Sequence, residues 1–309
     1  MIGSTDYSKT NLTEPQQGLA LVAEGGGQRG VFTAGVLDSW LLSNFNPFEI
    51  LVGTSAGAQN IASFMSEQFG YAYSAISDLT NSDEFFNVWS AFKGKHMMDL
   101  DWYFSQVEAS AYQLDTKAAT LKAKNRKLYF SSTKATSMET ALLDPNKIGW
   151  IPALKASSAI PFLYRRGVTL NQEALVDGGV SAPIPIKEAV NLGANKAVVI
   201  RTSKTAETAI GEVLKRAKPI FCSRNRTPQV YKILDVHESS YAEAQSFIQN
   251  PPTGVDVLEV TPSRPLQSKV LGSTKAALIS DYKQGLKAGY DFLVQHQLMT
   301  PGTNKRLHS

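Results

Sequence analysis

Residues 19–35 read LALVAEGGGQRGVFTAG: a short apolar run, a glycine cluster, then apolar residues at helical spacing. A strand that passes through glycines directly into a helix opens a βα unit, and its backbone amides are placed to cradle a phosphate or to serve some other purpose. Gly25, Gly27 and Gly30 satisfy G-x-G-x-x-G, the pattern of a dinucleotide-binding turn. Such a site also needs an acidic residue about 20 positions on, to hold the ribose. The next apolar run, FEILVG at 48–53, carries Glu49 at its start and leads into Thr54 and Ser55, so the ribose anchor is missing. No Gly-Lys-Ser/Thr closes the loop, and the Walker arrangement fails as well.

Outward from this stretch, LALVAE, VFTAGVLDSWLL, ILVGTS and AGAQNIASFMSEQF alternate strand-like and helix-like patterns. Further strands are expected at 127–132, 196–201 and 256–262, with a closing helix near 281–296. This alternation favours an α/β fold with a largely parallel sheet covered on both faces. With 309 residues, one domain over 18–297 with polar tails at 1–17 and 298–309 is the expected organisation; no repeat or low-complexity linker interrupts it. Residues 68–115 are rich in aromatics, among them Phe69, Tyr71, Phe85, Trp89, Phe92, Trp102 and Tyr103. They either cap the sheet by packing or wall an apolar pocket.

The second strand ends in GTSAG, a G-x-S-x-G with Gly53, Ser55 and Gly57, at the strand-to-helix junction that a nucleophile elbow requires. Such an elbow strains the serine and brings strand and helix so close that positions two before and two after tolerate almost no side chain. Ala56 keeps the turn lean. A serine nucleophile needs a base. None of His96, His237, His296 and His308 stands in a catalytic context, and surface positions are expected for all four. Among carboxylates Asp177, followed by Gly178 and Gly179, is the leading candidate, although Asp-Gly also marks ordinary turns.

Taken together and in this order, GGGQRG, GTSAG and DGG resemble the motifs of the patatin-like phospholipase family. ASSAIPF (156–162) and the stretch from Asp177 to Thr202 extend the likeness over roughly 18–202. The resemblance implies a three-layer α/β/α sandwich and a Ser55–Asp177 dyad. It implies that the backbone amides of Gly25, Gly26 and Gly27 form an oxyanion hole, and that Arg29 braces the loop. It further implies hydrolysis of lipid esters without a metal or cofactor. The sequence departs from the family after Pro161, where Phe162, Leu163, Tyr164, Arg165 and Arg166 follow; Tyr164 and the arginines are expected to meet a headgroup or water. The alternatives are a small-ester or acyl-CoA thioester hydrolase, a nucleotide-binding oxidoreductase, and a non-catalytic lipid-binding protein.

Composition, with 43% hydrophobic and 19% charged residues, describes an ordinary soluble globule. The single cysteine, Cys222, cannot form an internal disulfide and is expected to be structural. The polar N-terminus lacks the apolar core of a signal peptide, and no run reaches membrane-spanning length, so a cytoplasmic protein is expected. Net charge is +4, but Arg201, Lys204, Lys215, Arg216, Lys218, Arg224, Arg226 and Lys232 cluster in 201–232. That cluster reads as a solvated basic face or as a peripheral contact with anionic membrane. No reader motif for nucleic acid accompanies it. Oligomeric state is left open.

Overall fold

The two apolar runs around the glycine cluster form β1 (Gln16–Ala23) and β2 (Phe48–Thr54), paired in parallel with Ala23 opposite Gly53. The structure is a computed structural model describing residues 12–87, 96–109, 111–164, 167–203 and 227–299. β3 (Lys127–Lys134) extends the parallel sheet beyond β2. On the other side of β1 lie β7 (Lys196–Ile200) and β8 (Asp256–Val260), also parallel. An antiparallel corner completes eight strands: β4 (Thr140–Leu143) and β6 (Glu173–Asp177) pair with β3, and β5 (Val168–Leu170) pairs with β6. β4 and β5 were not anticipated, because runs of three or four residues are too short to show a period of two.

Residues alternate between the faces of the sheet. Leu19, Leu21 and Leu51 meet one helical layer, which contributes Phe32, Ile61 and Phe292 from helices Gly30–Leu42, Ala56–Met65 and Lys275–Gln295. Ala20, Val22, Ile50 and Val199 meet the other, through Ile186 of helix Ile186–Asn191 and Ala244 and Ile248 of helix Thr227–Gln249. The result is the expected three-layer α/β/α sandwich.

The closing helix starts earlier than its periodicity suggested, at Lys275, because the Thr274 hydroxyl accepts from the Ala277 N–H at 3.2 Å and caps it. It lies against helix Gly30–Leu42 with almost no space between the backbones: a Cβ on Gly285 would come within 2.1 Å of the Phe32 carbonyl oxygen. Trp40 locks the contact by donating its indole N–H to the Gly289 carbonyl at 3.1 Å.

Candidate active site

Parallel pairing puts the carboxyl ends of β1 and β2 side by side, so the glycine turn and GTSAG emerge together. Ser55 has φ 52° and ψ −118°, a conformation that costs a non-glycine residue on the order of 1–3 kcal/mol. Helix Ala56–Met65 starts at the next residue. The glycines flanking the elbow are there for space: a Cβ on Gly53 would sit 2.8 Å from the Ala58 backbone, and one on Gly57 only 2.4 Å from the Ala23 carbonyl oxygen. Gly57→Ala is therefore expected to destabilise the fold by about 3 kcal/mol, read from the urea midpoint. An unchanged midpoint would disprove this packing argument.

Asp177 ends β6 and turns through Gly178, whose Cβ would strike the Ser131 carbonyl oxygen at 2.2 Å. The turn brings the carboxylate to the serine: Ser55 Oγ donates to Asp177 Oδ2 at 2.8 Å, and Gly179 N–H donates to Oδ1 at 2.7 Å. Asp177 is only 1% exposed. Burial pushes its pKa up to about 7, against the opposing pull of the Gly179 and Ser55 hydrogen bonds. The loop of ASSAIPF closes the floor. Ser157 Oγ accepts from the Ser55 N–H at 2.9 Å, and the Ala159 carbonyl accepts from the Asp177 N–H at 2.9 Å.

The glycine turn divides the expected oxyanion donors. Gly25 N–H is already committed to the Pro183 carbonyl at 3.1 Å, which removes it from the expected set. Among the described residues, the N–H groups of Gly26 and Gly27 have no acceptor. Gly27 has φ 56°, and a Cβ there would meet the Val270 carbonyl oxygen at 2.4 Å. Arg29 is half-buried, and its N–H closes the turn onto the Gly26 carbonyl at 3.2 Å. Its buried neighbour Gln28 was missed in the sequence and ties the turn to two other segments. Gln28 Nε2 donates to Thr80 Oγ1 and Asn81 Oδ1, each at 2.9 Å, and its Oε1 accepts from Ser273 N–H at 2.7 Å.

Ser55 opens into a cleft lined by Tyr71, Ile76, Phe85, Met98, Leu100 and Tyr103. Part of the aromatic segment is thus a pocket wall, while Phe86, Trp102 and Phe104 pack into the core; Trp89 and Phe92 lie outside the described residues. A smaller cavity lies between the glycine turn and Asp177, with Glu24, His237 and Tyr241 in its lining.

Three expectations change here. His237 is not on the surface but 1% exposed, with Nδ1 in hydrogen-bonding contact with the Gly179 carbonyl; it sits on helix Thr227–Gln249, which periodicity did not reveal. Arg201 is no part of a basic face: it is 5% exposed, donating to Glu259 Oε2 at 2.9 Å and to the Tyr241 hydroxyl at 3.0 Å. Tyr164 does not face solvent; it is buried, stacked on His96 at 4.5 Å and bonded to Asp101 at 3.1 Å. His96 and His296 are half-buried. His308, Arg165, Arg166, Cys222 and the basic residues from Lys204 to Arg226 lie outside the described residues. Among the described residues no group of His, Cys, Asp and Glu could hold a metal ion, and no helix is long and apolar enough to cross a membrane.

A strained serine joined to a buried carboxylate beside an apolar cleft is the equipment of a hydrolase. The patatin-like phospholipase family matches residues 21–190, and a domain of unknown function (DUF6363) matches 227–299. The uncharacterized protein YjjU of Escherichia coli (strain K12) is 41% identical over 279 residues, 89% of this chain and 77% of that protein. The crystal structure of VipD from Legionella pneumophila aligns over 96% of this chain and 72% of its own at a TM-score of 0.40 and 12% identity, too distant to bear on the site. The chain belongs to the patatin-like phospholipase family and is, in general terms, a lipid acyl hydrolase.

Proposed function

We propose that the chain cleaves carboxylic esters of lipids, in the manner of a phospholipase A or lysophospholipase, with Ser55 as nucleophile and Asp177 as base. The observation that carries this reading is the 2.8 Å Ser55–Asp177 hydrogen bond at the foot of the apolar cleft. Ser55 Oγ attacks the acyl carbonyl as its proton passes to Asp177 Oδ2. The amides of Gly26 and Gly27 stabilise the oxyanion. Collapse of the tetrahedral adduct breaks the ester C–O bond, and the departing alkoxide takes the proton from Asp177. Water then releases the acyl group by the same steps, with Asp177 again the base. A carboxylate with a pKa near 7 is matched to this role at neutral pH. Esters are favoured over amides because an alkoxide leaves more readily than an amine.

The catalytic unit in this proposal is a single domain over 18–297, supported by the close docking of the closing helix on helix Gly30–Leu42. Peripheral contact with anionic membrane through the basic stretch is part of the same reading, for a protein on the cytoplasmic side. Labelling with a fluorophosphonate probe and mapping the modified peptide tests the assignment. An adduct on Ser55 is expected; an adduct elsewhere, or none on folded protein, overturns it.

The cleft also sets the substrate. Each methylene buried on the way to the transition state contributes up to about 0.8 kcal/mol, or about fourfold in kcat/KM. Activity on p-nitrophenyl esters should therefore climb from acetate through longer chains until the cleft is filled. A flat series would favour the small-ester reading.

A further inference from the structure

Helix Thr227–Gln249 lies outside the residues matched by the patatin-like family and within those matched by a domain of unknown function, yet it lines the reaction centre. His237 and Tyr241, four residues apart and so on one face, both border the cavity that holds Ser55, Asp177 and the glycine turn.

Each reaches a different half of the machinery. The Gly179 carbonyl can only accept, so His237 Nδ1 carries the proton and donates to it; the N–H of the same glycine holds Asp177 Oδ1 at 2.7 Å. Val180, fully buried, packs with Val230, Ile233 and Leu234 of the helix and fixes the same turn from its other side. One turn further on, the Tyr241 hydroxyl accepts from Arg201 at 3.0 Å and hydrogen-bonds Glu24. Glu24 is the buried residue directly before Gly25, and its Oε2 also accepts from the N–H of Thr202. A Cβ on Gly26 would meet Thr202 Oγ1 at 2.9 Å, so this group of contacts sits hard against the turn that carries the oxyanion donors.

We infer that His237 and Tyr241 are positioning residues that hold the Asp177 turn and the glycine turn in reactive alignment. The segment 227–249 is thereby part of the catalytic apparatus. The inference rests on the Ser55–Asp177 reading. Among the described residues, the ionisable groups facing His237 across the cavity are Asp177 and Glu24, with Tyr241 beside it on the same helix face and Arg201 bonded to Tyr241.

Four variants test it, each checked for folding by circular dichroism and assayed on p-nitrophenyl butyrate across pH. His237→Leu keeps bulk and removes the donor. His237→Asn keeps an amide N–H where Nδ1 was, and His237→Gln places one too far out. Tyr241→Phe removes only the hydroxyl. His237→Leu should lower kcat by about 100-fold with little change in KM. It should also raise the pH midpoint of kcat/KM, because a loosened Gly179 N–H no longer favours the ionised Asp177. His237→Asn should recover most of the rate and His237→Gln should not; Tyr241→Phe should lower kcat without moving the midpoint. Wild-type kcat and midpoint in folded His237→Leu would overturn the inference. If that variant does not fold, equal rates for His237→Asn and His237→Gln would do so. Ser55→Ala, run beside them, separates the two failures: a fully active Ser55→Ala removes the dyad itself, whereas an inactive Ser55→Ala beside a wild-type-like His237→Leu removes only the positioning role.

Discussion

Ser55→Ala is expected to lose ester hydrolysis by a factor on the order of 10⁶ in kcat, the scale found when the nucleophile of a serine hydrolase is removed, and to lose fluorophosphonate labelling altogether. The substitution deletes one hydroxyl from a buried site, and the backbone at position 55 stays at φ 52°. Alanine has the same difficulty as serine with that dihedral, so the strain persists. Ser55→Gly relieves it, since glycine takes positive φ without steric cost. Ser55→Gly should therefore be as inactive as Ser55→Ala but more stable by about 1 kcal/mol. Turnover in either variant comparable to the parent would refute the nucleophile assignment. Equal stability of the two would refute the claim that the elbow is strained.

Asp177→Asn is expected to reduce kcat by about four orders of magnitude, as when the carboxylate of a hydrolytic triad becomes an amide, and to do so while strengthening the fold. The folded protein keeps the proton on Asp177 up to about pH 7, whereas the unfolded chain releases it near the ordinary aspartate value of 3.8. Between those values the native state binds more protons than the unfolded one, so stability falls as pH rises, by roughly 4 kcal/mol in all. The asparagine variant has no such slope. Its melting temperature relative to the parent should rise between pH 4 and 7 and level off above, while the parent's kcat/KM rises with pH through about 7. Parallel melting curves would show that the carboxylate is not desolvated as described.

The parts of this site that could be read in the sequence are those where backbone geometry restricts residue choice. Gly53, Ser55 and Gly57 are legible because close approach of the elbow to β1 and to its own helix leaves no room for side chains; Asp177 with Gly178 is legible for the same reason against Ser131. The parallel core of the sheet was legible from long runs of Leu, Val and Ile. The failures share a cause. Nothing local distinguishes Gly25, whose amide is taken by Pro183, from Gly26 and Gly27, because the partner is more than 150 positions away. His237 looked ordinary because its significance lies wholly in the Gly179 carbonyl, 58 residues distant. Arg201 joined a basic run on the page, and only the fold sets it beside Glu259 and Tyr241. Gln28, a polar residue between glycines, gave no hint that Thr80, Asn81 and Ser273 would converge on it.

The pairing of Ala23 with Gly53 means that the separation between the glycine turn and Ser55 is set by the spacing of two neighbouring strands, about 4.8 Å, and not by the thirty-odd residues that connect them. Of the connection at 43–47, between helix Gly30–Leu42 and β2, only Asn44 is exposed, while Phe45, Asn46 and Pro47 are buried and anchor it to the core. The chain can be lengthened at Asn44, the exposed position, with the reactive atoms still in place. A slip of one residue between β1 and β2 has the opposite consequence: it shifts the glycine turn by about 3.4 Å and reverses the face of every side chain on the strand. The alignment of this site is in effect a property of inter-strand registry, robust to the length of the chain that wraps around it and intolerant of a single misplaced rung.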